Sequence, residues 1–348
     1  MMAEGIPTPD EAIFDLDADV VLSSRARIAR NVSHRPFVHR ADPAQCKAII
    51  ADVRTAVEAI GMSGSPIWID LNEAASRHRR VLYERHIISR QHAESHLPRG
   101  VIVDDDETTS IMINEEDHVR MHTIAPGLQT NRCFERIGKI DIALEPQLGW
   151  AFHERYGYLS ACPSNAGTGV RFSAMLHLPA VGLTGDLDKV QNAAKDLKLA
   201  VRGYYGEGSE SSGNFYQISN QVTLGPSEEK ILNTMADRVP QIIRFERNMR
   251  EKLISENRVG LEDRVWRAFG MLEHARLITS EETMSYLSAV RMGVNLGLIS
   301  QIPISTVNEL FILTQPAHLQ KRHGCELDTP QRDENRADYV RRRLASLN

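Results

Sequence analysis

Two arginines set two residues apart open the chemistry of this chain. In Ser23-Ser24-Arg25-Ala26-Arg27, followed by Arg30-Asn31, an extended backbone projects Arg25 and Arg27 from one face. Neighbouring guanidiniums repel unless an anion lies between them, so the pair reads as a solvated basic strand or as an anion site. Asn114-Glu115-Glu116-Asp117-His118-Val119-Arg120 sets three carboxylates together after an apolar run. Such a cluster caps the next element or holds a cationic ligand. Cys162-Pro163-Ser164-Asn165-Ala166-Gly167-Thr168-Gly169-Val170-Arg171 has the small residues of a tight loop whose backbone N–H groups line an anion, with Arg171 aimed back at it. A cysteine opening that loop beside arginines has a lowered pKa and stands partly as thiolate; the plainer alternative is a buried cysteine at a strand end. From Arg202 to Gly213, four glycines in a polar dozen make either a loop that closes over a substrate or an ordinary exposed hairpin. Near the C-terminus, Arg332-Asp333-Glu334-Asn335-Arg336-Ala337 puts Arg332 and Arg336 on one helix face, which by itself reads as a salt-bridged, solvated helix.

Strands and helices must position these groups. Val101–Asp104 and Ser110–Asn114 are short β-branched or apolar runs joined by an acidic turn, the pattern of an antiparallel pair. Gly169–Leu178 and Phe215–Leu224 read as further strands, and between them Leu187, Val190, Ala194 and Leu197 fall at helical spacing. The order predicts a mixed or antiparallel sheet with helices laid on it. From Ser227, a capping residue followed by Glu228 and Glu229, a helical pattern runs toward Asn257, with a kink or break expected at Pro240. Thr279 and Glu282 have the spacing of a capping box, and everything after about residue 255 reads as helical.

Composition narrows the classes. A chain of 348 residues has room for two domains, and 42% hydrophobic with 25% charged residues is the balance of a soluble globular protein. With 41 Lys and Arg against 46 Asp and Glu, the net charge of -5 speaks against a general nucleic-acid coat. No apolar run approaches the ~18 residues of a membrane span. The first twenty residues hold carboxylates (Glu4, Asp10, Glu11, Asp15, Asp17, Asp19) and no Lys or Arg, which is not the pattern of a signal peptide. Cys46, Cys133, Cys162 and Cys325 are scattered without a CxxC pair, so neither a disulfide scaffold nor structural zinc is expected, and the cytoplasm is the simplest compartment.

Taken together, SSRARIARN at Ser23, NEEDHVR at Asn114, CPSNAGTGVR at Cys162, RGYYGEGSE at Arg202 and ISNQVTLG at Ile218 resemble the phosphagen (guanidino) kinases. RDENRA at Arg332 fits the phosphoarginine-receptor pattern RDxxRA of the bacterial protein-arginine kinase branch (the McsB type), to which the resemblance is strongest. It covers nearly the whole chain from residue 20. It implies that the nucleotide is held by Ser23, Ser24, Arg25, Ala26 and Arg27, by His86 and Arg120, by Arg171, Phe172, Ser173, Ala174 and Met175, and by Arg202, Gly203, Tyr204, Tyr205, Gly206 and Glu207. The arginines pair with the phosphates of ATP, and magnesium is held by those phosphates with no protein metal site. Arginine suits that task because its planar fork meets phosphate oxygens bidentately. The resemblance makes Glu116 the general base that orients the acceptor guanidinium, Glu207 the second carboxylate, and Cys162 a substrate-positioning group. Phe172 stands where the family usually has a small residue; strand alternation turns it away from Arg171, so only packing should change.

The expected fold class is α+β: a phosphagen-kinase catalytic domain over 20–254, an antiparallel or mixed sheet flanked by helices, after an acidic leader 1–19. A smaller all-helical domain over 255–348 follows, for dimerisation and phosphoarginine sensing by Arg332, Asp333, Glu334, Asn335, Arg336 and Ala337. Kinases of free guanidino compounds carry a helical domain ahead of the SSRxR segment, whereas 22 residues precede Ser23 here, so the expected acceptor is arginine in a protein. Expected partners are protein substrates with accessible arginines, an activator or adaptor protein, ATP-dependent protease machinery and a second copy of the chain, but no nucleic acid or membrane. Two alternatives stand beside this: a free-arginine kinase lacking its front domain, and a phosphoarginine-binding adaptor with weak catalysis.

Overall fold

The computed structural model describes residues 17–62, 64–203 and 212–347. Its strands are β1 (Val21–Arg30), β2 (Ile67–Asp70), β3 (Gly100–Val103), β4 (Thr109–Ile113), β5 (Val119–Pro126), β6 (Phe152–His153), β7 (Gly157–Tyr158), β8 (Val170–His177), β9 (Leu199–Gly203) and β10 (Phe215–Asn220). The helices are α1 (Pro43–Ile60), α2 (Ser76–Glu84), α3 (Arg90–Glu94), α4 (Thr130–Leu148), α5 (Pro179–Thr184), α6 (Leu187–Asp196), α7 (Glu228–His274), α8 (Ser280–Asn295), α9 (Ile304–Leu313), α10 (Pro316–His323) and α11 (Thr329–Ala345).

Eight strands form one antiparallel sheet in the order β2-β3-β4-β5-β1-β8-β10-β9. β1 lies at its centre, and its alternation sets both faces. Ser24, Ala26 and Ile28 are buried on one side with Met121, Phe172, Ala174, Leu176 and Ile218. Ile49 and Val53 of α1, Ile137 and Leu144 of α4, and Ile231, Met235, Val239 and Ile243 of α7 complete that core. Each Val, Leu, Ile, Phe and Met among them contributes about 1.5–3 kcal/mol through burial. The opposite parity sends Arg25, Arg27, Arg120, Arg171 and Arg202 to the other face.

The expected strands are present. β3 and β4 form the antiparallel pair, with Val103 opposite Ser110. β10 ends earlier than the Phe215–Leu224 run because the Asn220 side chain itself takes the Phe172 N–H and donates to the Val170 carbonyl, finishing the ladder in place of a strand. The Ser227 hydroxyl caps α7 by accepting from the Lys230 N–H, and the Thr279–Glu282 capping box opens α8.

Pro240 does not break its helix. α7 runs through it to His274, and the backbone leaves helical geometry at Asn257 (φ -154, ψ 66) instead. Around Pro240 the helix is pinned by Met235, Val239 and Ile243 in the core, which offsets the ~3 kcal/mol that an interior proline costs. Residues 255–260 are exposed on every side, so nothing holds the backbone there. The Asn257 side chain then accepts from the Gly260 N–H at 2.9 Å, as an N-cap for the second half. That half packs Leu261, Val265, Phe269 and Leu272 against α8, α9 and α11 in a second core.

The part of the acidic leader within the described residues is docked. Arg247 donates to Asp17 at 2.8 Å and to Asp19 at 2.5 Å, and Arg291 of α8 donates to the Ala18 and Asp19 carbonyls.

Candidate active site

The arginine face is a row across neighbouring strands. Arg27 lies opposite His122 of β5 on one side and opposite Arg171 of β8 on the other. Burial, and then Arg120 and Arg171 close by, hold the Arg27 guanidinium well below its usual range. Such crowding of like charge is relieved by an anion. Among the described residues, Arg27 Nε and Arg120 Nε are buried N–H groups with no hydrogen-bond partner. Buried donors left open in this way fit phosphate oxygens. Arg25 donates to the His86 carbonyl at 3.3 Å, which ties the turn after α2 to the row.

Carboxylates stand beside the arginines. Glu115 is buried and receives Ser89 Oγ at 2.5 Å, Arg120 Nη1 at 2.6 Å and the Glu116 N–H at 2.8 Å. Burial alone would raise its carboxyl, but Arg120 and these hydrogen bonds hold it down at about 2. Glu115 therefore orients Arg120, and Glu116 beside it lines the cleft without an arginine partner among the described residues. Asn165 links the two sets of charges: its Oδ1 accepts from Arg27 at 3.3 Å and its Nδ2 donates to Glu116 at 3.4 Å.

The loop bearing Cys162 is held from beneath. Asp117 accepts from Asn31, Ser160 and the Ala161 N–H at 2.6–2.8 Å. The Thr223 hydroxyl sits 2.9 and 2.7 Å from the Ser164 and Ala166 carbonyls. At Gly167, with φ +101, a side-chain carbon would stand 2.3 Å from the Thr223 carbonyl oxygen, so only glycine fits. Arg30 has the opposite parity from Arg25 and Arg27 and does not serve the cleft. It pairs bidentately with Asp141 of α4 and donates to the Thr168 carbonyl, bracing the same loop.

A cleft of about 1110 Å³ brings together Arg27, Arg120, Arg171, Arg202, Glu116 and Cys162. Cys162 Sγ lies 3.0 Å from Ser164 Oγ. Ser23, Ser173 and Met175 share the arginine face by register, and Gly203 closes β9. Ser24, Ala26, Phe172 and Ala174 turn their side chains into the helix-covered core, so they can offer a nucleotide only backbone. Phe172 packs edge-on against Phe134 at 5.1 Å. Tyr204, Tyr205, Gly206 and Glu207 lie outside the described residues. Arg332 to Ala337 fall on α11 and do not line the cleft; Arg336 and Ala337 are buried in the second core. Sequence reasoning missed Glu115 as the partner of Arg120 and Asn165 as the bridge between Arg27 and Glu116. Among the described residues, no three His, Cys, Asp or Glu side chains gather to hold a metal ion, and no helix is long and apolar enough to cross a membrane.

Comparison with known proteins gives the same outline. Residues 48–249 match the family model of the ATP:guanido phosphotransferase C-terminal catalytic domain, and residues 258–348 match that of the protein-arginine kinase McsB C-terminal domain. The chain is 44% identical over 328 residues to the protein-arginine kinase of Halothermothrix orenii, covering 94% of each. It is 43% identical over 332 residues to that of Desulforamulus reducens, covering 94% of this chain and 93% of the relative. Among solved structures, lombricine kinase is similar with a TM-score of 0.59 and 27% identity, over 69% of this chain and 71% of that one. The duplicated taurocyamine kinase of Schistosoma mansoni, solved with transition-state analogue components, gives 0.61 and 25% over 66% of this chain and 33% of that one.

Proposed function

The chain belongs to the ATP:guanido phosphotransferase family, and we propose that it is an ATP-dependent protein-arginine kinase, moving the γ-phosphoryl group of ATP to arginine side chains of proteins. The observation that carries this reading is one cleft lined both by Arg27, Arg120, Arg171 and Arg202 and by Glu116 and Cys162. Phosphoryl transfer is mostly positioning and charge neutralisation, which the arginines supply. Magnesium, bound with the nucleotide, adds further neutralisation of the phosphate oxygens.

The acceptor guanidinium is protonated, with a pKa of about 12.5–13.8. It must lose a proton as its nitrogen bonds to the γ-phosphorus and the bond from that phosphorus to the ADP oxygen breaks. Glu116 grips the guanidinium and takes that proton, held by Asn165 at a fixed offset from Arg27. Glu207 acts as the second carboxylate and Cys162 as a positioning group, while in-line transfer needs no covalent enzyme intermediate. The protein acceptor is supported by the relatives named protein-arginine kinase and by the match over 258–348. A role of the mark in degradation or stress regulation, adaptor and protease partners, dimerisation and a cytoplasmic location belong to the same proposal, supported by the family resemblance.

The test is incubation with ATP, magnesium and either a mixed unfolded-protein substrate or free arginine, read as acid-labile phosphate on arginine. Phosphate on protein arginine, with free arginine a poor acceptor, is expected. Equal or better labelling of free arginine overturns the protein-kinase reading.

A further inference from the structure

The rung of the sheet that holds Arg27 and Arg171 has a further member that no motif contains. Register lines up Ser110 of β4, His122 of β5, Arg27 of β1 and Arg171 of β8 across four adjacent strands. The imidazole therefore stands on the arginine face, in the next row position to Arg27, with His122 only 4% exposed.

Its hydrogen bonding is fixed from the far side. Ser110 Oγ gives its proton to the Ile87 carbonyl at 2.7 Å, so at 3.3 Å it accepts from His122 Nδ1. The ring is then the Nδ1–H tautomer, and Nε2 carries the lone pair. The groups that face it are Arg25 and Arg27 from β1, Arg120 from its own strand and His86 from the turn after α2, and none of them is an anion. Burial and these guanidiniums hold the imidazole well below its ordinary range, so in the free protein the ring is neutral. An anion lodged on Arg25, Arg27 and Arg120 cancels that repulsion and presents acceptor oxygens. A lone pair at Nε2 would then meet oxygen lone pairs; only a proton between them makes a bond.

We propose that His122 is a nucleotide-phosphate contact that takes a proton from solvent at Nε2 as the nucleotide binds, so that the arginine cradle is completed by an imidazolium formed only in the complex. This rests on the nucleotide-binding reading of the cleft, and the measurement separates the two.

ADP with magnesium is titrated into the full chain by calorimetry in two buffers of different ionisation enthalpy. The wild type is expected to take up protons on binding, and its Kd to fall as pH drops from about 8.5 to about 6.5, by up to ~tenfold per unit. His122→Gln, which keeps a donor on the Ser110 side, is expected to bind ADP with that uptake lost and a flatter pH profile. The proton equilibrium of ADP itself is common to both proteins and cancels in the difference. Nitrogen-15 NMR of the wild-type histidines reads the same event without a variant: Nε2 of His122 should move from a lone-pair to a protonated shift at saturating ADP. An unchanged proton balance in a folded His122→Gln, or an Nε2 that stays a lone pair in the complex, overturns the assignment of His122. A wild type that binds no ADP overturns the nucleotide reading and this proposal with it.

Discussion

Glu115 and Glu116 are adjacent carboxylates with different duties, and the difference is in what each touches. Both line the cleft, but Glu115 is spent on Arg120 and Ser89, whereas the side chain of Glu116 has, among the described residues, the long contact to Asn165. Glu116→Gln should keep the shape and remove the base, so turnover is expected to fall by about two orders of magnitude or more, ~3 kcal/mol of barrier, with ATP affinity little changed. Steady-state kinetics decide this, and near-normal turnover sinks the base assignment. Glu115 predicts a stability effect instead. Its folded pKa of about 2 lies below the ordinary value of 4.5, so the stabilisation is fully present above pH 4.5 and is lost as pH falls through 2. The shift corresponds to roughly 3 kcal/mol. Denaturant unfolding across that window should show Glu115→Gln less stable than wild type near neutral pH and with a shallower acid slope. Parallel curves would mean that Arg120 finds another partner. Alternation alone put Arg25 and Arg27 on one face and left their role open; the family resemblance of the motifs is what singled the arginines out. Asn165 and His122 were not singled out, since one amide in a loop and one histidine in a strand acquire meaning only from neighbours far along the chain.

At the scale of elements, alternation and caps were legible, and proline was misleading. β3, β4, β8 and α6 stand where the apolar periods placed them, and the Ser227 and Thr279 caps start their helices. Those signals are local, and local physics decides them. Pro240 failed as a breaker because the cost of an interior proline is set against tertiary packing, which a sequence window does not contain; Asn257, with no packing around it, gives way instead. The Cys162 loop is the element on which the site depends most, because Gly167 lets it lie directly against Thr223. In Gly167→Ala the new carbon meets backbone, the Thr223 oxygen at 2.3 Å and the Leu224 Cα at 2.7 Å, and no rotamer relieves that. The strain costs about 1–3 kcal/mol, and the loop must move away from the cleft floor. Loss of activity at a temperature where thermal unfolding shows the variant still folded is the expected outcome. Wild-type kinetics with an unchanged Tm would show that the loop tolerates the displacement.

At the scale of the whole molecule, two cores share α7, and side-chain clamps tie them on either side of it. Asp19 binds Arg247 and Arg250 while its carbonyl takes Arg291 from the helical side. Glu84, at the end of α2 and two residues before His86, accepts from the Ala317 and His318 N–H groups at the start of α10. Glu84 therefore joins the helical region to the segment that runs on to the cleft-lining Ser89 and Arg90, which would give a ligand on α11 a route to influence the proposed nucleotide site. The RDENRA stretch divides into two parts that the sequence alone could not separate. The Arg336 guanidinium is buried, donating to the Thr314 and Ile278 carbonyls and pairing with Asp333 at 2.7 Å. Arg332 is half-buried and, among the described residues, donates to the Leu327 carbonyl and the Thr329 hydroxyl around the start of its own helix. If this stretch senses phosphoarginine, Arg332 is the guanidinium free to turn toward the phosphate, and Asp333 must exchange Arg336 for the ligand. Arg336→Ala should then lower stability by about 2–4 kcal/mol, since it leaves two buried carbonyls unpaired. Arg332→Ala should cost only a few tenths of a kcal/mol, about 0.3–0.5, yet abolish phosphoarginine binding. Activation of the kinase by phosphoarginine further requires tighter binding to the active form, because equal affinity for both forms shifts nothing. Calorimetry with free phosphoarginine, beside denaturant unfolding of each variant, separates the duties. Equal binding by wild type and Arg332→Ala, or none by the wild type, leaves RDENRA as a helix whose arginines serve packing alone.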